Sequence, residues 1–139
     1  MVGFSKMKLL RVQDTPAAPE LLYQLLQERT PATNISHREM PTWDAHAHFI
    51  QSRPYRAWYV IQGDEIPVGS IYLSKMNEIG VFILIKYQGQ GFGKLAIQTL
   101  MAKHPGERFL ANINPNNSRS IKFFKSLGFK HIQNTYEKR

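Results

Sequence analysis

The sequence predicts one domain of mixed α/β class (α+β), in which helices pack on short strands. Residues 56–61 and 66–74 are rich in aromatic and β-branched side chains, and the turn-forming segment Gln62-Gly63-Asp64-Glu65 between them predicts an antiparallel hairpin. Residues 78–85 are a further apolar run, and the apolar spacing becomes helical over residues 91–103. The order strand, helix, strand is predicted again at residues 109–113, 117–127 and 129–136.

The N-terminal half is predicted to hold one strand and two helices. The strand is expected at residues 7–12. The first helix should follow a cap at Asp14-Thr15-Pro16, carry leucines at helical spacing and stop before Pro31. Thr42 is predicted to cap the second helix, which ends before Pro54.

Composition limits the classes of protein that need to be considered. A chain of 139 residues with 42% hydrophobic residues can bury one core, so residues 1–139 are expected to form a single domain. The absence of cysteine excludes disulfides, thiolate metal sites and a cysteine nucleophile. No apolar stretch approaches the ~20 residues that span a bilayer, and the first residues lack the apolar centre of a secretory signal. We therefore expect a cytoplasmic protein without a membrane partner.

The charge of the chain indicates an anionic ligand without identifying it. Eighteen Lys and Arg residues against ten Asp and Glu residues give a formal charge of +8. A positive protein raises the local concentration of anions, which include phosphorylated cofactors and nucleic acids. Because no recognisable nucleic-acid reader motif is present, a nucleic-acid partner is not expected.

A glycine-rich turn links the apolar run at residues 79–85 to the helix that follows. The turn reads Gln88-Gly89-Gln90-Gly91-Phe92-Gly93-Lys94. Glycines let a backbone approach a ligand closely, and the free N–H groups of a helix start attract an anion such as a diphosphate. A P-loop is excluded because Leu95 follows Lys94 where a hydroxyl is needed, and a dinucleotide fingerprint is excluded because its third glycine is replaced by Lys94.

The remaining pattern, Gln-x-x-Gly-x-Gly at residues 88–93, resembles the acetyl-CoA loop of the GNAT N-acetyltransferase superfamily. A second segment resembles the same family: Asn114 to Phe129 combines asparagines, an amphipathic helix and Leu-Gly-Phe. The resemblance is specific over about residues 66–136. It implies a central mixed, mostly antiparallel sheet flanked by helices, direct transfer of an acetyl group from acetyl-CoA, and a homodimer. No metal is expected, because the chain has no cysteine and because His46 and His48, two positions apart, do not share a helix face.

The resemblance also implies the residues that bind acetyl-CoA. The glycine turn would hold the pyrophosphate through its backbone, with added charge from Lys94. Phe82 and Ile83 would pair with the pantetheine arm in the gap where two strands separate, and Asn117 would contact this arm or cap the last helix. The predicted cofactor-binding residues are Phe82, Ile83, Gln88, Gly89, Gln90, Gly91, Phe92, Gly93, Lys94 and Asn117.

Acetyl transfer to an amine needs a base for the amine and a proton for the leaving thiolate. Glu78 is predicted to be the catalytic base because it opens the strand that leads to the loop, where several GNAT branches have an acidic residue. The family's usual acid is a tyrosine seven residues after the helix-start asparagine, and here that position is Phe124. The proton is therefore expected from water, from the departing ammonium, or from a hydroxyl such as Tyr72 or Tyr136.

The acceptor is expected to be a primary amine of a small molecule. Three segments resemble those of enzymes that acetylate nucleotide-linked amino sugars: the predicted helix with its His-x-x-Phe-Ile pattern, residues 55–60 and residues 68–71. In this interpretation, aromatic faces and Arg56 or Arg38 hold the base and the phosphates. The predicted substrate-binding residues are Trp43, His46, Arg56 and Tyr72. The alternatives are acetylation of a protein N-terminus or lysine, and a non-catalytic module that binds acyl-CoA or nucleic acid.

Overall fold

A computed structural model describes residues 6–29 and 39–139 of the chain. The first predicted helix ends at Gln27, before Pro31, as expected, whereas Arg38 lies outside the described residues. The described strands are β1 (Met7–Arg11), β2 (Ala57–Gly63), β3 (Ile66–Leu73) and β4 (Ile79–Ile83), and the helices are α1 (Ala18–Gln27), α2 (Trp43–Gln51), α3 (Phe92–Lys103) and α4 (Ser118–Ser126). Short 3-10 turns occupy Val12–Asp14 and Ile85–Tyr87.

The four strands form one antiparallel sheet in the order β1-β2-β3-β4. The predicted hairpin is confirmed, with Tyr59 opposite Ile71 and Trp58 opposite Tyr72. Its register shifts between Ile61 and Gln62, just before the pairing with Pro67. Since proline cannot donate a ladder hydrogen bond, an irregularity at this point is expected.

Helices cover both faces of the sheet, so the domain has two apolar layers. On one face, Ile61, Ile71 and Leu73 pack with Ile97 and Leu100 of α3, and all five side chains are fully buried. On the other face, the leucines of α1 and Ile50 of α2 pack on the strands; this second layer includes Leu21, Leu22, Leu25, Trp58 and Val60. The predicted sheet flanked by helices is thereby confirmed.

Two predicted strands are wrong. Residues 109–113 form only one isolated parallel bridge, between Leu110 and Glu78. Ile79 N donates to Leu110 O at 2.7 Å and Leu110 N donates to Asn77 O at 2.9 Å, after which no ladder with β4 continues. The strand expected at residues 129–136 is also absent. Phe129 packs on Phe124, but residues 130–139 are exposed without a neighbouring strand in the described chain, and a strand needs such a partner.

The predicted cap of α1 is wrong as well. Asp14 belongs to the 3-10 turn and pairs with Arg11 at 3.3 Å, while α1 starts four residues later at Ala18 without a side-chain cap. The cap of α2 is confirmed, since Thr42 Oγ1 accepts from Ala45 N at 3.2 Å. Over residues 6–29 and 39–139, none of the helices has the length and apolar character needed to cross a membrane.

Candidate active site

A cleft of about 1000 Å³ opens where β4 and the segment after Leu110 separate. One wall is formed by β4, and the facing wall by residues 112–114 and the start of α4. The end of α1, residues 39–41 and α2 close the remaining side. Because β4 is paired with β3 on its other edge, the edge that faces this opening has ladder positions available for an extended ligand.

The start of α3 lies at one end of β4 and has the features of an anion site. Gly91 is the N-cap residue with φ of 87°, and Gly89 has φ of 80°. Among the described residues, no side-chain hydrogen bond caps this helix at Gly91, whereas Thr42 caps α2 and Asn117 caps α4. The positive end of the helix dipole therefore lies at a turn without a side-chain cap, and such an end attracts an anionic ligand.

Gln88 links this loop to both walls of the cleft. Its Nε2 donates to Ile83 O at 3.0 Å, and its Oε1 accepts from Arg119 Nη1 at 3.1 Å. Behind the loop, a Cβ at Gly93 would lie 3.3 Å from the Phe123 ring, so α3 and α4 approach closely there. Sequence reasoning missed Arg119, which follows the predicted residue Asn117 by two positions.

The predicted cofactor residues fall into two groups. Phe82, Ile83, Gln88 and Asn117 line the cleft. Asn117 also caps α4, with its Oδ1 accepting from Ser120 N at 3.1 Å. The others form the turn and the first residues of α3, where the side chain of Phe92 is buried in the core and Lys94 is exposed. Only the backbone of Phe92 is therefore presented to a ligand.

Glu78 lies at the point where the two walls separate, and its carboxylate is held by two neighbours. Ser74 Oγ donates to Glu78 Oε1 at 3.2 Å, and Asn112 Nδ2 donates to Oε2. The side chain lines the cleft. The two hydrogen bonds leave carboxylate lone pairs available, since each oxygen can accept more than one hydrogen bond.

An aromatic row forms the cleft wall on the side of α1 and α2. The rings of Tyr55 and Tyr72 are stacked with centroids 3.9 Å apart, and Tyr72 is followed by Phe82 at 6.3 Å. The guanidinium of Arg29 lies 4.2 Å from the centroid of Phe82. Burial raises the pKa of the Tyr72 hydroxyl, Arg29 lowers it, and Glu78 adds a smaller upward effect. Tyr72 therefore stays protonated at neutral pH.

The two predicted residues on α2 have different positions. His46 lines the cleft but is only 3% exposed, and its Nε2 lies 2.9 Å from Pro19 O, which ties α2 to α1. Trp43 is 42% exposed and packs edge-on against Tyr23, with ring centroids 5.2 Å apart, outside the cleft. The structure thus brings His46 to the predicted pocket but not Trp43.

Arg56 also lies outside the cleft. Its Nη1 donates to Asn77 Oδ1 at 2.8 Å, and its Nη2 pairs with Glu107 Oε1 at 2.9 Å. Asn77 Nδ2 donates to the other Glu107 oxygen at 3.0 Å. This exposed network fastens the β3–β4 turn to the segment after α3, and it gives Arg56 a structural partner in place of the expected phosphate.

Glu107→Gln is expected to lower the stability of the protein at neutral pH, with the difference from wild type shrinking in acid. Hydrogen bonds from Arg56 and Asn77, together with the charge of Arg56, hold the pKa of the Glu107 carboxyl below its ordinary value. A group whose pKa is lowered by folding stabilises the folded state above its unfolded pKa, and this contribution is lost as the pH falls through the folded pKa. Melting curves from about pH 7 to about pH 3 should therefore converge below the usual Glu pKa of about 4.3. A constant difference in melting temperature over this range would contradict the assignment.

The described lining of the cleft differs in the sign of its charge from the chain as a whole. Its fully charged residues are Glu28, Arg29, Glu39 and Glu78. Among the described residues, three carboxylates and one guanidinium thus line the cleft, whereas the formal charge of the chain is +8. Among the described residues, no three His, Asp or Glu side chains lie close enough to share a metal ion.

The sequence of the chain is similar to those of known acetyltransferases. The model of the acetyltransferase (GNAT) family matches residues 20–129. The peptidyl-lysine N-acetyltransferase YjaB of Salmonella typhimurium is 30% identical over 73 residues, which are 52% of this chain and 49% of that protein. Its counterpart from Escherichia coli is 27% identical over 73 residues. The chain therefore spans about half the length of the curated relatives that it matches.

Solved structures show the same fold over nearly the whole chain. A domain from Methanocaldococcus jannaschii is 27% identical, with a TM-score of 0.80 over 95% of this chain and 93% of that one. The structure of yncA from Salmonella typhimurium, determined with its cofactor acetyl-CoA, is 19% identical, with a TM-score of 0.65 over 89% of this chain and 78% of that one.

Proposed function

The chain belongs to the GNAT acetyltransferase family, and we propose that it transfers the acetyl group of acetyl-CoA directly to a cationic primary amine, of which a peptidyl lysine is the leading example. One observation carries the proposal. The start of α3, which has no side-chain cap, adjoins a cleft that is lined by Glu78, and hydrogen bonds fix the carboxylate of Glu78. Both features lie along the same strand, β4, which connects Glu78 to the glycine turn.

The residues fit acetyl-CoA in two places. The turn at residues 88–94 offers backbone N–H groups and a helix N-terminus to the pyrophosphate, with Lys94 exposed beside it. The open edge of β4 offers the backbone of Phe82 and Ile83 to an extended, amide-containing chain such as pantetheine. Bound in this way, acetyl-CoA would supply an activated acetyl thioester to the cleft that Glu78 lines.

Glu78 is proposed to remove the proton that keeps the acceptor amine unreactive. An ammonium has no lone pair, so it must lose a proton before it attacks the thioester carbon. The hydrogen bonds from Ser74 and Asn112 fix the carboxylate at the mouth of the gap between the two walls. Fixing a base in this way contributes to the rate because the reacting groups start in the required orientation.

A cationic acceptor fits the described cleft better than a nucleotide-linked amino sugar. Three carboxylates and a row of aromatic faces attract an ammonium group. Among the described lining residues, the phosphates of a nucleotide would meet one guanidinium, that of Arg29, because the expected Arg56 is held in the network with Glu107. The lysine side chain matches because it carries a compact charge on a flexible stem. The relatives named as peptidyl-lysine N-acetyltransferases support this class of acceptor.

Release of free CoA thiol with a panel of amines tests the acceptor class. We expect lysine-containing peptides with blocked N-termini to exceed nucleotide-linked amino sugars in kcat/KM by at least about tenfold, the equivalent of 1.4 kcal/mol. The matched control is the same peptide with its lysine already acetylated, which should give no thiol above background. Faster turnover of nucleotide-linked amino sugars would reverse the choice of acceptor. Thiol release with none of the amines, in a protein that still binds acetyl-CoA, would favour the non-catalytic acyl-CoA-binding module.

The cytoplasmic location, the homodimer and the single domain at residues 1–139 remain predictions. The absence of a nucleic-acid partner is likewise a prediction, and a salt-dependent RNA or DNA complex in the absence of acetyl-CoA binding would contradict it.

A further inference from the structure

The proposed reaction needs a proton donor for the leaving thiolate, and the described cleft contains a phenol in a suitable place. Phe124 occupies the position at which the family usually has its acidic tyrosine. It lines the cleft, but it is 6% exposed and packed in the core. It can supply no proton. Tyr136 is 89% exposed and is not among the cleft residues.

Tyr72 places its hydroxyl against β4 because the strand carries a glycine opposite it. Tyr72 pairs with Gly80, and a Cβ at position 80 would overlap Cε2 and Cζ of the Tyr72 ring. The ring therefore crosses directly over the backbone of Gly80, two residues after Glu78. Its stacking on Tyr55, with planes 5° apart, fixes this orientation.

The Tyr72 hydroxyl has no hydrogen-bond partner among the described residues, although the ring lines the cleft. A half-buried phenol with an unused donor on the floor of a cleft is available to a ligand. Ser120 also lines the cleft, but an aliphatic hydroxyl is a much weaker acid than a phenol.

We propose that the Tyr72 hydroxyl donates the proton that converts the departing CoA thiolate into the thiol. In this step the amine nitrogen forms a bond to the acetyl carbon, and the carbon–sulfur bond breaks with its electron pair remaining on sulfur. The sulfur takes the proton from Tyr72 Oη. Before the attack, Glu78 takes one proton from the ammonium and passes it to solvent. After the attack, the nitrogen loses a second proton to the Glu78 carboxylate, and solvent carries that proton to the Tyr72 phenolate. The products are the amide, the CoA thiol and one proton released to solvent, with both side chains restored.

The inference rests on the proposed function and is tested by a binding measurement as well as by rate. Tyr72→Phe keeps the ring, the stacking on Tyr55 and the contact with Gly80, and it removes only the hydroxyl. We expect this variant to bind CoA about threefold to tenfold more weakly by calorimetry, as for the loss of one hydrogen bond. Its affinity for desulfo-CoA, which has no sulfur, should equal that of wild type. Its kcat should fall by at least about tenfold, with the KM for acetyl-CoA nearly unchanged.

Tyr59→Phe is the matched control, because Tyr59 lies on β2 and contacts Lys103 on the other side of the sheet, outside the cleft. It should retain the kcat and both affinities of wild type. Equal loss of CoA and desulfo-CoA binding in Tyr72→Phe, or unchanged kcat, would overturn the role of Tyr72 while leaving the acetyltransferase assignment in place. Failure of the wild type to bind either ligand would instead overturn the proposed function itself.

Discussion

Gly91→Asp is expected to remove most of the thermal stabilisation that acetyl-CoA gives to the wild-type protein. Gly91 is the uncapped N-cap of α3, and a carboxylate there would occupy and repel the position offered to the pyrophosphate. A ligand at about 100 times its Kd stabilises a protein by about 2.7 kcal/mol, which for a chain of this size is on the order of a 10 °C rise in melting temperature. Thermal-shift measurements with saturating acetyl-CoA, each compared with the same variant without ligand, give the result.

Gly106→Asp is the control for this experiment. Gly106 also has a positive φ, of 79°, and open space where a Cβ would be added, so both substitutions place a side chain with the same charge on a left-handed backbone. Gly106 lies three residues beyond the end of α3, whose 12 residues span about 18 Å, so it is at the end of the helix opposite to Gly91. This variant should keep the full ligand-induced shift. If acetyl-CoA raised the melting temperature of Gly91→Asp as much as that of wild type, the glycine turn would not be part of the binding site.

The loop and the helices could be predicted from the sequence because their signals are local. A glycine turn between an apolar run and a helical pattern specifies strand, turn and helix within about 25 residues, and the structure has them at β4 and α3. The caps at Thr42 and Asn117 were readable for the same reason, since a cap bonds to a residue three positions along. The position of Glu78 could be predicted in the same way, because Glu78 directly precedes β4, the strand that leads to the turn.

The misplaced strands and Arg56 depend on distant partners that periodicity does not reveal. Residues 109–113 are mostly apolar, as in a buried strand, but their pairing with the chain before β4 stops after one bridge, and this divergence opens the cleft. Arg56 was assigned to phosphates by its residue type, whereas Glu107, 51 positions away, holds its guanidinium. The contact of Arg119 with Gln88 likewise spans 31 positions, so it could be found only once the fold was known.

The two proposed proton carriers would act on different atoms, which separates their expected effects. Glu78 is proposed to accept the proton of the amine, so the rate loss without it should be largest at a pH where the amine is charged. Tyr72 is proposed to donate to the sulfur, so its hydroxyl should also contribute to the affinity for CoA. Both side chains line one cleft, and the negative charge of Glu78 acts on the Tyr72 hydroxyl. A double variant should therefore show a rate loss that differs from the sum of the two single losses in free energy.

Glu78→Gln is expected to lower kcat/KM by about 10²-fold to 10⁴-fold near neutral pH, the usual contribution of a positioned general base. The amide is the same size and can keep hydrogen bonds with Ser74 and Asn112, so the fold and the affinity for acetyl-CoA should be retained. The deficit should shrink as the pH rises toward the pKa of a lysine amine, about 10.4, because solution then supplies the neutral amine. Glu107→Gln is the control, since it neutralises a hydrogen-bonded carboxylate outside the cleft and should keep the rate of wild type. If Glu78→Gln kept the kcat/KM of wild type across roughly pH 6–9, Glu78 would not be the catalytic base, and its carboxylate would have only a structural role at the strand end.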